Sequence, residues 1–212
     1  MTTPKRGQLF HFTHLSNVAS IAQHGIFCDN DAATVARLTT EVGQPDIKLK
    51  RRKRVVPMEP GGVVADYVPF YFAARSPMLG SIHQGYVPSY RGGQDEVVYL
   101  VTDIERIVST GLSFVYTDRN AALGIASYAN DPTRLGDLVD WPLMEGRMWN
   151  NTSSEPDRME RRMAEFLVHR HVPWDAIIGL AVINEQRSRE TEAVLATVGV
   201  DATVRVRKGW YF

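Results

Sequence analysis

A carboxylate within an apolar segment is the first feature of this sequence that suggests chemistry. Glu165 lies in RRMAEFLV, residues 161–168. In an extended strand its side chain would share a face with Met163 and Leu167, which places a charge on an otherwise apolar stripe. Burying an unpaired charge is costly, so this carboxylate would require a partner or a ligand. The alternative is a strand whose end reaches solvent, and the pattern alone does not choose between them.

A run of cations is the second feature. KLKRRKR, residues 48–54, has six Lys or Arg in seven positions, whereas the chain as a whole balances 24 Lys and Arg against 24 Asp and Glu. Such a run is typical of a solvated face or a flexible loop, but it could also be a nuclear localisation signal, a nucleic-acid patch or the source of one functional arginine. The balanced charge argues against coating of nucleic acid by bulk electrostatics, so any such binding requires a local patch.

A short segment near the N-terminus, LFHFT at residues 9–13, alternates polar and apolar side chains. Period-two alternation puts His11 and Thr13 on one face of a strand and Phe10 and Phe12 on the other. The strand therefore presents one polar face on which two side chains could contact the same ligand.

The six histidines invite a search for a metal site. His11 and His14 do not face one another as a helical pair would. His169 and His171 share one face of a strand, but no cysteine and no nearby Asp-x-His pattern completes a ligand set. We therefore predict no metal. The phosphate-binding patterns GxxxxGK(S/T) and GxGxxG are also absent, which argues against a P-loop enzyme and a Rossmann dehydrogenase.

Composition suggests where the protein works. Cys28 is the only cysteine, which excludes an intramolecular disulfide and suits a reducing compartment. The N-terminal residues lack the apolar stretch of a signal peptide, and no apolar run approaches the ~20 residues that span a bilayer. We expect a soluble cytoplasmic protein without membrane contact.

The candidate residues must be positioned by a mixture of strands and helices. Strands are predicted at 9–13, 68–73, 97–103, 113–117, 163–168, 176–183 and 202–206, and helices near 119–129, 134–140 and 188–197. A further helix is predicted after Ser16 or Asn17 as N-cap, with Gly25 at its end. The strands do not alternate strictly with long helices, so we predict an α+β fold with mixed or antiparallel sheets.

We expect one domain over residues 1–212, interrupted by a long, mostly irregular insertion at 29–62 that contains the basic run and a helical turn or two.

Several segments, taken in order, resemble the DarT family of bacterial DNA ADP-ribosyltransferase toxins. Each is weak by itself, but the ordered set is specific and covers nearly the whole chain. The segments are LFHFTHLSNVASIAQHGI, the arginine-bearing stretch at 47–56, DYVPFYFAARSPML, GGQDEVVYLV, FVYTDRNA, RRMAEFLVHRHVPW and RKGWYF.

The resemblance implies an ADP-ribosyltransferase fold, in which two facing mixed or antiparallel sheets with peripheral helices form a cleft for NAD+. It implies transfer of ADP-ribose from NAD+ to thymine in single-stranded DNA, with no metal. It also implies a toxin–antitoxin pair in which a macrodomain antitoxin, DarG-like, removes the mark.

The resemblance assigns roles to individual residues. Glu165 matches the catalytic glutamate, with Glu160 ranked well below it, and the essential arginine falls on Arg51, with Arg52 left open as its neighbour. The remaining cations of the run, Lys48, Lys50, Lys53 and Arg54, are left for solvent or DNA phosphate. The residues expected to bind NAD+ are His11, Phe12, Thr13, Asn17, Arg51, Tyr71, Phe72 and Ser76.

The target strand is expected to meet a loop at 146–162 that precedes the catalytic strand. Arginines and rings there would contact phosphates and bases. The residues expected to bind the DNA are Met78, Arg75, Arg119, Arg147, Trp149 and Asn150.

Two alternatives from other classes stay open. One is a relative that transfers ADP-ribose to RNA or protein, and the other is a non-catalytic nucleic-acid-binding module on the same fold. Joint presence of Glu165, Arg51 and the His11/Thr13 pair speaks against the second, because a pure binder has no need of a carboxylate on an apolar stripe.

Overall fold

The computed structural model describes residues 5–31 and 36–212. Residues 1–4 of the predicted domain and residues 32–35 of the predicted insertion lie outside the described residues. The strands are β1 Gln8–His14, β2 Ile26–Phe27, β3 Tyr67–Tyr71, β4 Val97–Asp103, β5 Phe114–Thr117, β6 Tyr128–Ala129, β7 Glu165–His169, β8 His171–Val172, β9 Gly179–Val182 and β10 Val204–Val206. The α-helices described in full are α1 Val18–His24, α2 Pro45–Lys53, α3 Pro77–His83, α4 Ile104–Ser109, α5 Leu135–Leu138, α6 Trp141–Glu145, α7 Arg158–Arg162 and α8 Glu185–Thr197.

Eight strands form one mixed sheet in the order β10-β9-β4-β1-β3-β7-β5-β6. The pairs are antiparallel except β9 with β10, and β2 and β8 form a separate antiparallel ribbon. Residues of β4 alternate between two apolar cores, with Val98 and Leu100 in one and Val97, Tyr99 and Val101 in the other. The sheet is therefore buried on both faces.

The sheet divides between β1 and β3. β1 pairs with β4 along its whole length, from Gln8↔Asp103 to His14↔Val97, but meets β3 at the single pair Phe10↔Tyr71. Past that pair the two strands part. The α+β class is confirmed, but the two facing sheets expected from the sequence are two four-stranded halves of one continuous sheet, joined at this pair.

All seven predicted strands are found, with shifts of a few residues at their ends. α1 ends before Gly25 as predicted, but Gly25 has φ 77° and ψ −172°, a conformation open to glycine that differs from the left-handed helical cap expected there. α5 and α8 overlap the helices predicted near 134–140 and 188–197. The insertion is more regular than predicted, because it includes the nine-residue helix α2.

The prediction of a helix near 119–129 is wrong. This segment is a loop that leads into β6. Asp118 Oδ1 accepts the Ser127 backbone N–H at 2.9 Å, and Asn120 Oδ1 accepts the Ala122 N–H at 2.9 Å. Short polar side chains that bond nearby backbone groups compete with helix formation, and here they favour the loop.

Candidate active site

Glu165 begins β7 and is 3% exposed. Its two carboxylate oxygens have separate donors, Arg51 Nη1 at 2.7 Å from Oε1 and the Ala121 backbone N–H at 2.9 Å from Oε2. The structure thus supplies the partner that a buried carboxylate requires.

Arg51 reaches Glu165 from α2, and it is buried while its neighbours Lys50 and Arg52 are exposed. Burial lowers the pKa of the Arg51 guanidinium, but the carboxylates of Glu165 and Asp29 outweigh it, so the pKa is raised and the group is a cation. Arg51 Nη2 is buried and has no hydrogen-bond partner among the described residues. One donor of the guanidinium is therefore left for a ligand.

His11 and Thr13 face the same cavity from β1. His11 Nδ1 lies 2.9 Å from the Pro69 carbonyl oxygen, which can only accept, so Nδ1 carries the proton and Nε2 is an acceptor in the neutral ring. Burial lowers the pKa of His11, which favours this neutral form.

The cavity has a volume of about 570 Å³ and lies at the gap between β1 and β3. Phe12 and Tyr71 line it with stacked rings, 5.9 Å apart at 15°. Met78 of α3 lines it as well, together with Arg51 and Glu165. A volume of this size is ordinary for a small-molecule site.

Two residues expected at the NAD+ site have other surroundings. Phe72 is 4% exposed and packs against Trp141 and Phe166 in the core, because successive residues of an extended segment point to opposite faces. Ser76 is 1% exposed, and its hydroxyl caps α3 by accepting the Leu79 N–H at 3.2 Å. Neither lines the cavity.

The Asn17 side chain lines the cavity, but its amide is fully used within the protein. Nδ2 donates to Thr13 Oγ1 at 2.9 Å and to the Thr40 carbonyl at 2.8 Å, and Oδ1 accepts the N–H groups of Thr39 and Thr40 at 2.8 and 3.0 Å. These four bonds exhaust the amide. Asn17 therefore positions Thr13 and the 39–40 segment, and it neither caps α1 nor has a hydrogen bond left for a ribose.

Replacing Asn17 by alanine is expected to raise the KM for NAD+, the co-substrate that the resemblance implies, about tenfold. The Thr39 and Thr40 N–H groups and the Thr40 carbonyl beside the cavity lose bonds that each contribute about 0.5–1.5 kcal/mol. Steady-state kinetics with varied NAD+ measures this. Asn30→Ala is the control, since Asn30 bonds Asp66 Oδ1 outside the cavity. A fall in kcat with unchanged KM would contradict the interpretation.

The residues expected to bind DNA divide between two places. Arg119 is held by Asp118 at 3.1 Å, Glu160 at 3.5 Å and Asp157 at 3.7 Å, so its charge is compensated within the protein. Arg119 does not line the cavity.

Arg75 and Trp149 meet on another surface, around the ring of Phe212. The Arg75 guanidinium lies 4.3 Å from the Phe212 ring centroid, and the Trp149 ring contacts Phe212 edge-on at 6.2 Å. Burial, and then the nearby charge of Arg147, lower the pKa of Arg75. Asn150 is exposed. Of the residues expected to bind DNA, Met78 lines the cavity. Four others lie outside it: Arg75, Arg147, Trp149 and Asn150.

Comparison with known proteins decides the family. The family model described as "DarT: ssDNA thymidine ADP-ribosyltransferase, DarT" matches residues 10–212. The chain belongs to the DarT family. The resemblance seen in the sequence is thereby confirmed.

Relatives in this family match the chain over nearly its whole length. The DNA ADP-ribosyl transferase of Thermus sp. (strain 2.9) is 34% identical over 214 residues, covering 100% of this chain and 99% of the relative. That of Escherichia coli O127:H6 is 31% identical, covering 99% and 95%. That of Mycobacterium tuberculosis is 33% identical, covering 96% and 88%.

Two solved DarT structures share the fold, and they confirm the ADP-ribosyltransferase fold that the resemblance implies. Thermus sp. 2.9 DarT in complex with ADP-ribosylated ssDNA superposes with a TM-score of 0.91 at 32% identity, covering 100% of this chain and 99% of the other. The same protein in complex with NAD+ gives 0.87 at 32% identity, covering 100% of both chains.

Sequence reasoning missed part of this DarT site. The Ala121 N–H that binds Glu165 had no side-chain signal, and its segment was predicted to be helical. Lys48, expected at solvent or DNA phosphate, lines the cavity and pairs with Glu41 and with Asp29, the latter at 2.8 Å. A signal existed for Lys48: it lies three residues before Arg51, and that spacing puts both on one helix face.

Within the described ranges, no group of three His, Cys, Asp or Glu could hold a metal ion. Among the same residues, no helix is both long and apolar enough to cross a membrane.

Proposed function

We propose that this protein transfers ADP-ribose from NAD+ to thymine bases of single-stranded DNA. The observation that carries the proposal is the buried Arg51–Glu165 pair at the cavity between β1 and β3, in a chain of the DarT family. The Thermus relative, bound to NAD+ in one structure and to ADP-ribosylated ssDNA in another, supports the same co-substrate and acceptor for this chain.

The cavity suits the nicotinamide-ribose half of NAD+. The unpartnered Arg51 Nη2 is a donor for an anionic or carbonyl oxygen, and the His11 Nε2 is an acceptor for a hydroxyl. Phe12 and Tyr71 offer ring surface to the planar base. We assign NAD+ contacts to these four residues and Thr13, and structural roles to Phe72, Ser76 and Asn17.

Glu165 performs the central chemical role. Cleavage of the nicotinamide glycosidic bond develops positive charge at the ribose C1′, and a carboxylate held beside it stabilises that charge more in the transition state than in the ground state. Because Arg51 and the Ala121 N–H already orient the carboxylate, little reorganisation is needed during reaction.

The acceptor must also lose a proton. The bond from C1′ to the nicotinamide nitrogen breaks, the bond from C1′ to the thymine imide nitrogen forms, and nicotinamide leaves as a neutral molecule. Glu165 takes the imide proton and releases it to solvent, while Arg51 stabilises the developing negative oxygen or the pyrophosphate. An unpaired strand presents its bases without the cost of unstacking a duplex, which favours single-stranded DNA.

The DNA strand reaches the cavity across the surface made by Arg75, Arg147, Trp149 and Phe212. Cations and rings on one surface suit phosphates and bases. α3 connects this surface to the cavity, since Arg75 lies just before the helix and Met78 of the helix lines the cavity. We assign no DNA contact to Arg119, because three carboxylates compensate its charge.

The test is incubation with NAD+ and a thymine-containing single-stranded oligonucleotide, followed by mass spectrometry. The expected product is the oligonucleotide plus one ADP-ribose, and a thymine-free oligonucleotide is the control. Labelling of RNA or of protein in place of DNA would favour the first alternative, and DNA binding without NAD+ consumption would favour the non-catalytic module. Absence of an adduct across varied sequences would refute the DNA activity.

We further propose the cellular role that family membership implies, a cytoplasmic toxin opposed by a macrodomain antitoxin. Residues 1–212 act as one domain in this proposal, with the 29–62 segment covering the NAD+ site through α2 and the 146–162 segment presenting the target. Expression of the active protein is expected to arrest growth, and coexpression of an ADP-ribose-removing macrodomain protein is expected to restore it.

A further inference from the structure

Thr117, at the end of β5, has a hydroxyl that serves two backbone groups at the site. The residue is fully buried. Its Oγ1 accepts the Glu165 backbone N–H at 3.1 Å and donates to the Arg119 carbonyl at 2.6 Å. The regular pairing of β5 with β7 ends one residue earlier, at Tyr116↔Phe166, so this hydroxyl takes the place of the next ladder bond.

The Arg119 carbonyl belongs to the loop that supplies the second donor to Glu165. Two residues later the Ala121 N–H binds Glu165 Oε2 at 2.9 Å, and Ala121 is fully buried. The Tyr128 hydroxyl donates to the Ala121 carbonyl at 2.6 Å and fixes the far side of the loop. The Thr117 hydroxyl therefore joins the backbone of Glu165 to the loop that orients its carboxylate.

We propose that Thr117 is a positioning residue for the reaction, holding Glu165 and the Ala121 N–H in one geometry. The proposal rests on the proposed function of Glu165. A carboxylate that acts on charge at C1′ must be directed accurately, since a misplacement of about 1 Å can cost about a hundredfold in rate. Thr117 touches neither substrate, because it does not line the cavity.

The matched variants are Thr117→Val and Thr117→Ser. Valine keeps the shape and removes the hydroxyl, whereas serine keeps the hydroxyl and removes a methyl group. We expect Thr117→Val to lower kcat about tenfold to a hundredfold with the KM for NAD+ changed less than about twofold, and Thr117→Ser to keep most of the wild-type kcat. Steady-state transfer to a thymine oligonucleotide measures both constants.

Thr102→Val is the control for the loss of a buried hydroxyl that has only a structural role. Thr102 of β4 is fully buried, donates to the Ala176 carbonyl at 2.6 Å and lies outside the cavity. Its loss is expected to lower the unfolding midpoint as Thr117→Val does, but to leave kcat at the wild-type value. Equal kcat for Thr117→Val and wild type, equal losses in the valine and serine variants, or a rise in KM alone would each overturn the proposal.

A second variant covers the case in which Thr117→Val does not fold. Thr117→Ala removes the same hydroxyl with a smaller side chain, and it is expected to lower kcat at unchanged KM for NAD+. A wild-type kcat for Thr117→Ala would then overturn the proposal. If the wild-type protein labels no DNA, the proposed function fails separately, and the same variants are compared by hydrolysis of NAD+ to nicotinamide, which also requires Glu165.

Discussion

Glu165→Gln is expected to lower kcat for ADP-ribose transfer by about a hundredfold to ten-thousandfold. The amide keeps the shape of the carboxylate but carries no charge to stabilise C1′ and accepts no proton from the acceptor. The KM for NAD+ is expected to change little, because the loss falls on the transition state. Quenched-flow or steady-state measurement of nicotinamide release with a thymine oligonucleotide provides the constant.

Glu160→Gln is the control for this prediction. Glu160 lies five residues earlier, its side chain is half-exposed, and its nearest charged contact is Arg119 at 3.5 Å. It is not at the cavity. We expect Glu160→Gln to retain activity within a few-fold of wild type. Full activity of Glu165→Gln together with inactive Glu160→Gln would reverse the assignment.

Arg51→Ala is expected to abolish transfer and to destabilise the protein. Its loss leaves Glu165 as a buried charge without its cation, which costs about 3–5 kcal/mol. It also removes the donor Nη2 that the cavity offers to substrate. Arg51→Lys is expected to restore part of the stability but little of the activity, because an ammonium cannot serve Glu165 and a ligand with the fixed geometry of a guanidinium.

Arg52→Ala is the matched control, since it removes the same side chain from the next position of the same helix. Arg52 is exposed. We expect wild-type kcat and an unchanged unfolding midpoint. NAD+ turnover and thermal unfolding of the three variants should be measured side by side, and equal effects of Arg51→Ala and Arg52→Ala would show that the basic run acts as a whole.

The basic run at residues 48–54 shows what a local pattern predicts and what depends on tertiary contacts. Six cations in seven positions predict a charged segment, but not which of them turns inward. The helix puts Lys48 and Arg51 on one face and leaves Lys50, Arg52 and Lys53 exposed. Arg54 is half-buried and donates to the Gly124 carbonyl at 3.1 Å. The run is thus composite, as the family resemblance indicated and composition could not.

The sequence by itself determined the strands, the α+β class, the family and the problem posed by a carboxylate on an apolar stripe. Those features depend on residue periodicity and on ordered motifs, which are local. Tertiary structure alone decided that Arg51 meets a carboxylate 114 positions away, that Phe72 belongs to the core and that Arg119 braces a loop. These outcomes depend on strand order and on the gap between β1 and β3, which bring distant segments together and which no local pattern encodes.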